Sequence, residues 1–131
     1  RYTDWDTEIF PEGLYEGIRQ VWNKYHLPIY ITENGIGLYE DTSVNQVEDD
    51  DRIEFMDMHI AAVLKAKEGG CDVRGYYAWS PFDLYSWKNG TEKRYGLVAI
   101  DYENGLERRP KKSYYWYKDV IETDGKHITG K

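Results

Sequence analysis

The 131-residue sequence is poor in several features, and each shortage removes a class of protein. A single cysteine, Cys71, leaves no internal disulfide and no cysteine-based zinc site. Basic residues are in deficit: 17 Lys and Arg against 24 Asp and Glu give a formal charge of −7, which argues against a general nucleic-acid surface. No apolar run approaches the roughly 18 to 20 residues of a membrane span. Internal repeats and low-complexity segments are absent. The opening Arg1-Tyr2-Thr3-Asp4-Trp5 carries neither an initiator Met nor the pattern of a signal peptide, and reads as processed or as a piece of something longer.

Aromatic residues, in contrast, are abundant at 16%. Trp and Tyr combine a flat apolar face with a polar edge, which suits sugar rings as well as cores and interfaces. Charged residues reach 31%, but the signs are mixed and interleaved with aromatics, unlike disordered sequence. The length allows one domain with a core.

Apolar spacing sets the element order. Pro11-Glu12-Gly13 opens a helix whose periodic positions are Leu14, Ile18, Val21, Trp22 and Tyr25, and Pro28 closes it. Ile29-Tyr30-Ile31-Thr32 reads as a short buried strand, broken by Asn34-Gly35. After a polar loop, Glu48-Asp49-Asp50-Asp51 precedes a second helix with Ile53, Met56, Ile60, Val63 and Leu64 on one face. That acidic run reads as a capped, solvated helix start suited to the helix dipole, rather than as a metal site. Gly69-Gly70 ends this helix. Val73 to Ala78 is a second strand and Leu97 to Ile100 a third. Asn104-Gly105 signals a hairpin that returns over Leu106 to Arg109. A last helix runs from Lys111 to about Glu122, and residues 123–131 are expected to fray.

Two buried strands joined by a long helix form a parallel βαβ crossover. Two strands do not complete a sheet, and a closed eight-stranded barrel takes about 250 residues. The sequence is thus expected to be α/β, part of a (β/α)8 TIM barrel.

Three stretches carry candidate chemistry. Glu33 stands at the C-terminal end of the first strand, where α/β folds place reactive groups; the alternative is an exposed turn residue. Trp79, at the end of the second strand, is a candidate sugar platform, although on spacing alone a core position is favoured. The run Ser86 to Gly96 gathers a hydroxyl, cations and a phenol within ten residues, and such a loop could bind an anion through charge-assisted hydrogen bonds. Taken alone, a Lys-Arg pair is equally common on plain surfaces.

Together these stretches resemble the C-terminal part of glycoside hydrolase family one, which includes β-glucosidases and 6-phospho-β-glycosidases. The matching residues are Thr3-Asp4-Trp5 with Pro11-Glu12-Gly13-Leu14, then Ile31-Thr32-Glu33-Asn34-Gly35 and Asp50-Asp51-Arg52-Ile53. Trp79-Ser80 with Asp83, Lys93-Arg94-Tyr95-Gly96-Leu97, and Lys111-Lys112-Ser113 with Trp116-Tyr117 follow in family order, from Thr3 to about Val120. The resemblance implies the last two strand–helix units of the barrel, preceded by one helix. It implies Glu33 as the catalytic nucleophile, Trp79 as the platform under the sugar, and Trp87 as a neighbouring indole whose N–H meets a sugar hydroxyl. The position of Ser86 is a sugar-binding Glu in plain β-glucosidases. In 6-phospho-glycosidases it is Ser, with Lys and Tyr seven and nine residues on, as with Lys93 and Tyr95 here. Glu would repel a phosphate dianion, whereas Ser removes the charge and supplies a donor. The resemblance therefore implies a phosphorylated β-glycoside as substrate, with Trp87 leaning toward the phosphogalactosidase pattern.

Retaining hydrolysis needs a second carboxyl group, which the family carries in an Asn-Glu-Pro motif. No Asn-Glu-Pro occurs in this sequence. The chain on its own is therefore expected to be inactive, and to self-associate through open sheet edges and an apolar helix face. No metal or organic cofactor is implied, and phosphosugar chemistry implies a cytoplasmic setting. The alternatives are part of an ordinary β-glucosidase, a non-catalytic phosphosugar-binding module, and a truncated product without function.

Overall fold

The computed structural model describes residues 8–130; the lead-in Thr3-Asp4-Trp5 lies outside them. Helix α1 spans Pro11–Tyr25, with the proline in its first turn as its missing N–H allows. It ends at His26, which takes the left-handed conformation and donates its N–H to the Trp22 carbonyl. Strand β1 follows over Ile29–Asn34, then helix α2 over Asp50–Glu68 and strand β2 over Val73–Ala78. Strands β3 (Val98–Asp101) and β4 (Glu107–Pro110) form an antiparallel hairpin, and helix α3 covers Lys112–Glu122.

Strands β1 and β2 pair in parallel, so α2 is the expected crossover. The helices cover one face of this pair. Ile29, Ile31, Val73 and Tyr76 pack with Ile18 of α1 and Val63 and Ala66 of α2. A second cluster joins Phe55, Met56 and Ile60 of α2 to Val120 of α3, Ile36 and Leu97. The opposite face is open: Tyr30 and Tyr77 are exposed. The strands are therefore half-buried rather than buried on both sides, because no described element covers that face.

The tail departs from expectation. Residues 123–130 do not fray: Ile128 packs against the second cluster, and the Asp57 carboxylate accepts hydrogen bonds from the Thr129 and Gly130 N–H groups and the Thr129 hydroxyl, at 2.8 to 2.9 Å. A polar sequence hid this anchorage because Asp57 supplies it from another element. The hairpin loop is also longer than a two-residue turn. Asp101 accepts the N–H groups of Glu103 and Asn104, and Gly105 and Leu106 both take positive φ.

Candidate active site

The end of β1 carries the first candidate. Strict alternation would send Glu33 to the helix-covered side with Ile29 and Ile31. The register prevents this: Ile31 pairs with Tyr76 and Asn34 with Ala78, three steps on β1 against two on β2. The extra residue reverses the parity, as bulges beside functional sites do. Asn34 consequently faces the covered side, where its Oδ1 accepts the Tyr76 hydroxyl at 2.7 Å. Burial pushes the Tyr76 phenol well above its ordinary value, so it stays a neutral donor. Glu33 is left exposed, with no hydrogen bond or ion pair to any described residue.

The end of β2 lies directly beside it. The Trp79 N–H donates to the Asn34 carbonyl at 2.8 Å, and the Trp79–Ser80 peptide bond is cis. Gly35 is required by close approach: a Cβ there would lie 1.8 Å from the Trp79 carbonyl oxygen. The chain then joins the later loop. The Ser80 N–H donates to the Tyr95 carbonyl at 2.9 Å, and Leu38 and Arg94 exchange both backbone hydrogen bonds. Gly37 makes room for the Tyr95 ring, which a Cβ would approach to 2.7 Å.

A cavity of about 500 Å³ opens here, lined by Trp79, Tyr85, Ser86, Trp87, Lys88 and Tyr95. Ser86 and Gly90 close the loop with a pair of backbone bonds, and the Ser86 Oγ accepts the Lys88 N–H at 3.2 Å. Trp79 is 42% exposed and Trp87 94% exposed. The core position that spacing favours for Trp79 is thus corrected: the covered side of β2 is filled by Tyr76 and Ala78, and Trp79 lies past the strand end.

Of the six residues singled out in the sequence, four (Trp79, Ser86, Trp87 and Tyr95) share this cavity. Glu33 lies one strand over, tied in through Asn34 and Trp79. Lys93 is not on the wall. It is 2% exposed, with its Nζ 5.0 Å from the centre of the Tyr39 ring.

A set of buried charges ties these loops to α2 and to the start of α3. Arg52, 1% exposed, donates to Asp49 Oδ2 at 2.8 Å, Glu40 Oε1 at 2.6 Å, the Ile36 carbonyl at 2.6 Å and the Arg94 carbonyl at 3.1 Å. Lys111, fully buried, bonds to Glu40 and, at 2.9 Å, to Asp83. Asp83 accepts the Gly96 N–H at 2.9 Å and the Ile100 N–H at 3.3 Å. Asp49 accepts the Ser113 N–H and hydroxyl at 2.9 and 2.6 Å. Each charge faces at least one of opposite sign and is hydrogen-bonded, with three carboxylates sharing two cations, and such pairing is the condition for ionised groups to persist away from water.

Comparison with known proteins places this arrangement. The family model for glycosyl hydrolase family 1 matches residues 1–126. The chain belongs to glycosyl hydrolase family 1. Solved structures of a β-glucosidase from Thermotoga maritima align with it closely. The complexes with castanospermine and with isofagomine lactam are each 36% identical, with a TM-score of 0.90, over 95% of this chain and 29% of that one. The glucoimidazole complex is 35% identical with the same TM-score and coverage. The chain therefore spans under a third of the length of the structures it matches. Within the family, α1 followed by the β1–α2 and β2–α3 units corresponds to part of the TIM barrel, and the β3–β4 hairpin is inserted between β2 and α3.

Sequence reasoning quoted Arg52, Asp83 and Lys111 among the family matches but gave them no role, and it missed Glu40. One signal was available: Arg52 falls in phase with Phe55, Met56, His59 and Ile60 on the buried face of α2. A charge at such a position demands a buried partner. The acidic run also reads differently in the structure. Asp50 and Asp51 are exposed, but Asp49 is only 4% exposed, because Arg52 and Ser113 claim its carboxylate. Among the described residues, no group of His, Cys, Asp and Glu is arranged to hold a metal ion, and no helix is long and apolar enough to cross a membrane.

Proposed function

We propose that this chain supplies the nucleophile and the phosphate-binding wall of a retaining 6-phospho-β-glycosidase. The observation that carries the reading is Ser86 on the wall of the cavity beside Tyr95, with Trp79 and Trp87 flanking it. A hydroxyl and a phenol there donate hydrogen bonds to phosphate oxygens, and among the described residues no carboxylate lines the cavity to repel them. Lys88 on the same wall adds a cation at the cavity in a chain of net charge −7.

The chemistry follows from Glu33. Its carboxylate attacks the anomeric carbon and forms a glycosyl-enzyme, and a second carboxyl group about 5 to 5.5 Å away first protonates the leaving oxygen and then activates water. Trp79 and Trp87 offer aromatic faces to the sugar ring. The second carboxyl group is not in this chain, which has no Asn-Glu-Pro, so the 131 residues alone do not turn over substrate. A phosphorylated glycoside arises inside the bacterial cell, which places the enzyme in the cytoplasm.

Two observations favour a second reading, an ordinary β-glucosidase: the matched structures bear that name, and Lys93 is buried against Tyr39 and does not line the cavity. A double substitution separates the two. In the complete enzyme, Ser86→Glu with Lys93→Ala is expected to lower kcat/KM for a nitrophenyl 6-phosphoglycoside at least a hundredfold. The unphosphorylated glycoside should change less than tenfold. Equal losses for both substrates would assign the site to plain glycosides.

A further inference from the structure

Two separate loops build the site, and they must keep a fixed spacing. The first follows Glu33 and runs through Ile36 to Glu40. The second carries Ser86, Lys93 and Tyr95. The Leu38–Arg94 backbone pair links them at their edge. The buried Arg52 guanidinium links them again: Nη1 donates to the Ile36 carbonyl, three residues past Glu33, and Nη2 donates to the Arg94 carbonyl, between Lys93 and Tyr95. The remaining donors hold Asp49 and Glu40, and Glu40 is shared with Lys111, whose second partner Asp83 holds the N–H of Gly96. All of these side chains are nearly or fully buried.

We propose that Arg52 is a positioning residue for substrate selection: its fork fixes the distance between the nucleophile-bearing strand end and the loop that recognises the 6-substituent of the sugar. It touches neither substrate nor reacting atoms. The inference rests on the phosphate reading of the cavity and adds to it the element that sets the register of the two halves. The geometry explains why the residue is arginine. The planar guanidinium reaches two carbonyls and two carboxylates in fixed directions, whereas an ammonium on a flexible stem carries the same charge from one point and cannot span the two loops at once. Glu33 itself is held independently, because β1 pairs with β2 and the Asn34 carbonyl accepts the Trp79 N–H. Loss of the fork should therefore free the recognition loop while leaving the nucleophile in place.

The experiment uses the complete enzyme with Arg52→Lys, assayed on a nitrophenyl β-glycoside with and without a 6-phosphate. For the phosphorylated substrate, KM should rise ten- to a hundredfold with kcat within threefold. For the plain substrate, kcat/KM should stay within threefold, so that the preference collapses. Proportional losses on both substrates, or an unchanged preference, would overturn the positioning role and leave Arg52 a structural residue. The wild type controls for the underlying reading: if it shows no preference for the phosphorylated substrate, the phosphate assignment fails before any variant is considered. Should Arg52→Lys not fold, Glu40→Gln tests the same link. It keeps the side chain's size and leaves Asp49 to balance the guanidinium, and it should raise KM for the phosphorylated substrate three- to tenfold without altering the plain one. No selective rise in KM there would equally count against the proposal.

Discussion

The buried charged side chains and the exposed side chains at the strand ends and the later loop follow opposite rules. Inside, Arg52, Glu40, Asp83 and Lys111 are buried, and every charge has at least two partners. At the surface, Glu33 has no described partner and Trp87 is almost wholly exposed. The buried charges are saturated by one another, whereas Glu33 and Trp87 are left open; Ser86, 9% exposed, lies between these extremes. Losing a buried charge should therefore cost stability, with Arg52 also shifting substrate preference, whereas losing an exposed side chain should cost binding with little loss of stability.

The strongest test is Lys111→Ala. It strands the carboxylates of Glu40 and Asp83 in the interior, and breaking one partner of a buried ion pair typically costs about 3–5 kcal/mol. The midpoint of denaturant unfolding should fall accordingly. A loss below about 1 kcal/mol would mean that these charges are solvated, and the contrast would dissolve.

An intermediate effect is expected at His59, which is buried in α2 against the Phe55 ring at a centroid distance of 4.0 Å. Burial lowers its imidazole from the ordinary 6.5, opposed by the Phe55 carbonyl at its Nδ1 and by the charge of Glu12. The folded state thus favours the neutral ring. Stability from this group is complete above about pH 6.5 and is lost as pH falls from there through the lowered folded value, because the unfolded chain takes up the proton first. Unfolding midpoints measured from pH 7 down to pH 5 should decline, and His59→Gln should flatten part of that slope. A slope untouched by the substitution would assign the pH dependence to other groups.

The smallest stability effect belongs to Trp87→Ala, expected within about 0.5 kcal/mol because so exposed a side chain loses little contact. Sugar binding by the complete enzyme should nonetheless weaken. A large fall in melting temperature would place this indole among the supports rather than the contacts.

Much of this architecture was legible in the order of residues. Apolar periodicity located all three helices and the parallel crossover, since each element buries one face and its spacing records which. Glu33 and Trp79 drew notice by their place at strand ends and the Ser86–Tyr95 run by its residue types, while their roles came from the family resemblance; the structure brings Trp79, Ser86, Trp87 and Tyr95 to one cavity. Two things were not legible. One was the set of partners that each buried charge finds: Glu40, Asp83 and Lys111 come from loops far apart in sequence, and no local pattern records a contact of that range. The other was the covering of the strands. A run such as Ile29-Tyr30-Ile31-Thr32 looks the same whether one face or both are enclosed, and here Tyr30 faces outward.

The irregular register at the end of β1 has a wider consequence. The place of the Glu33 carboxylate is set by a count of residues rather than by a contact, since nothing described grips the side chain. Point replacements of Thr32 or its neighbours leave that count intact. Loss of Thr32 would instead restore two steps against two, leaving the acid outward but one residue nearer Ile31 and so displaced along the strand. For this strand, length is the inherited quantity that matters most.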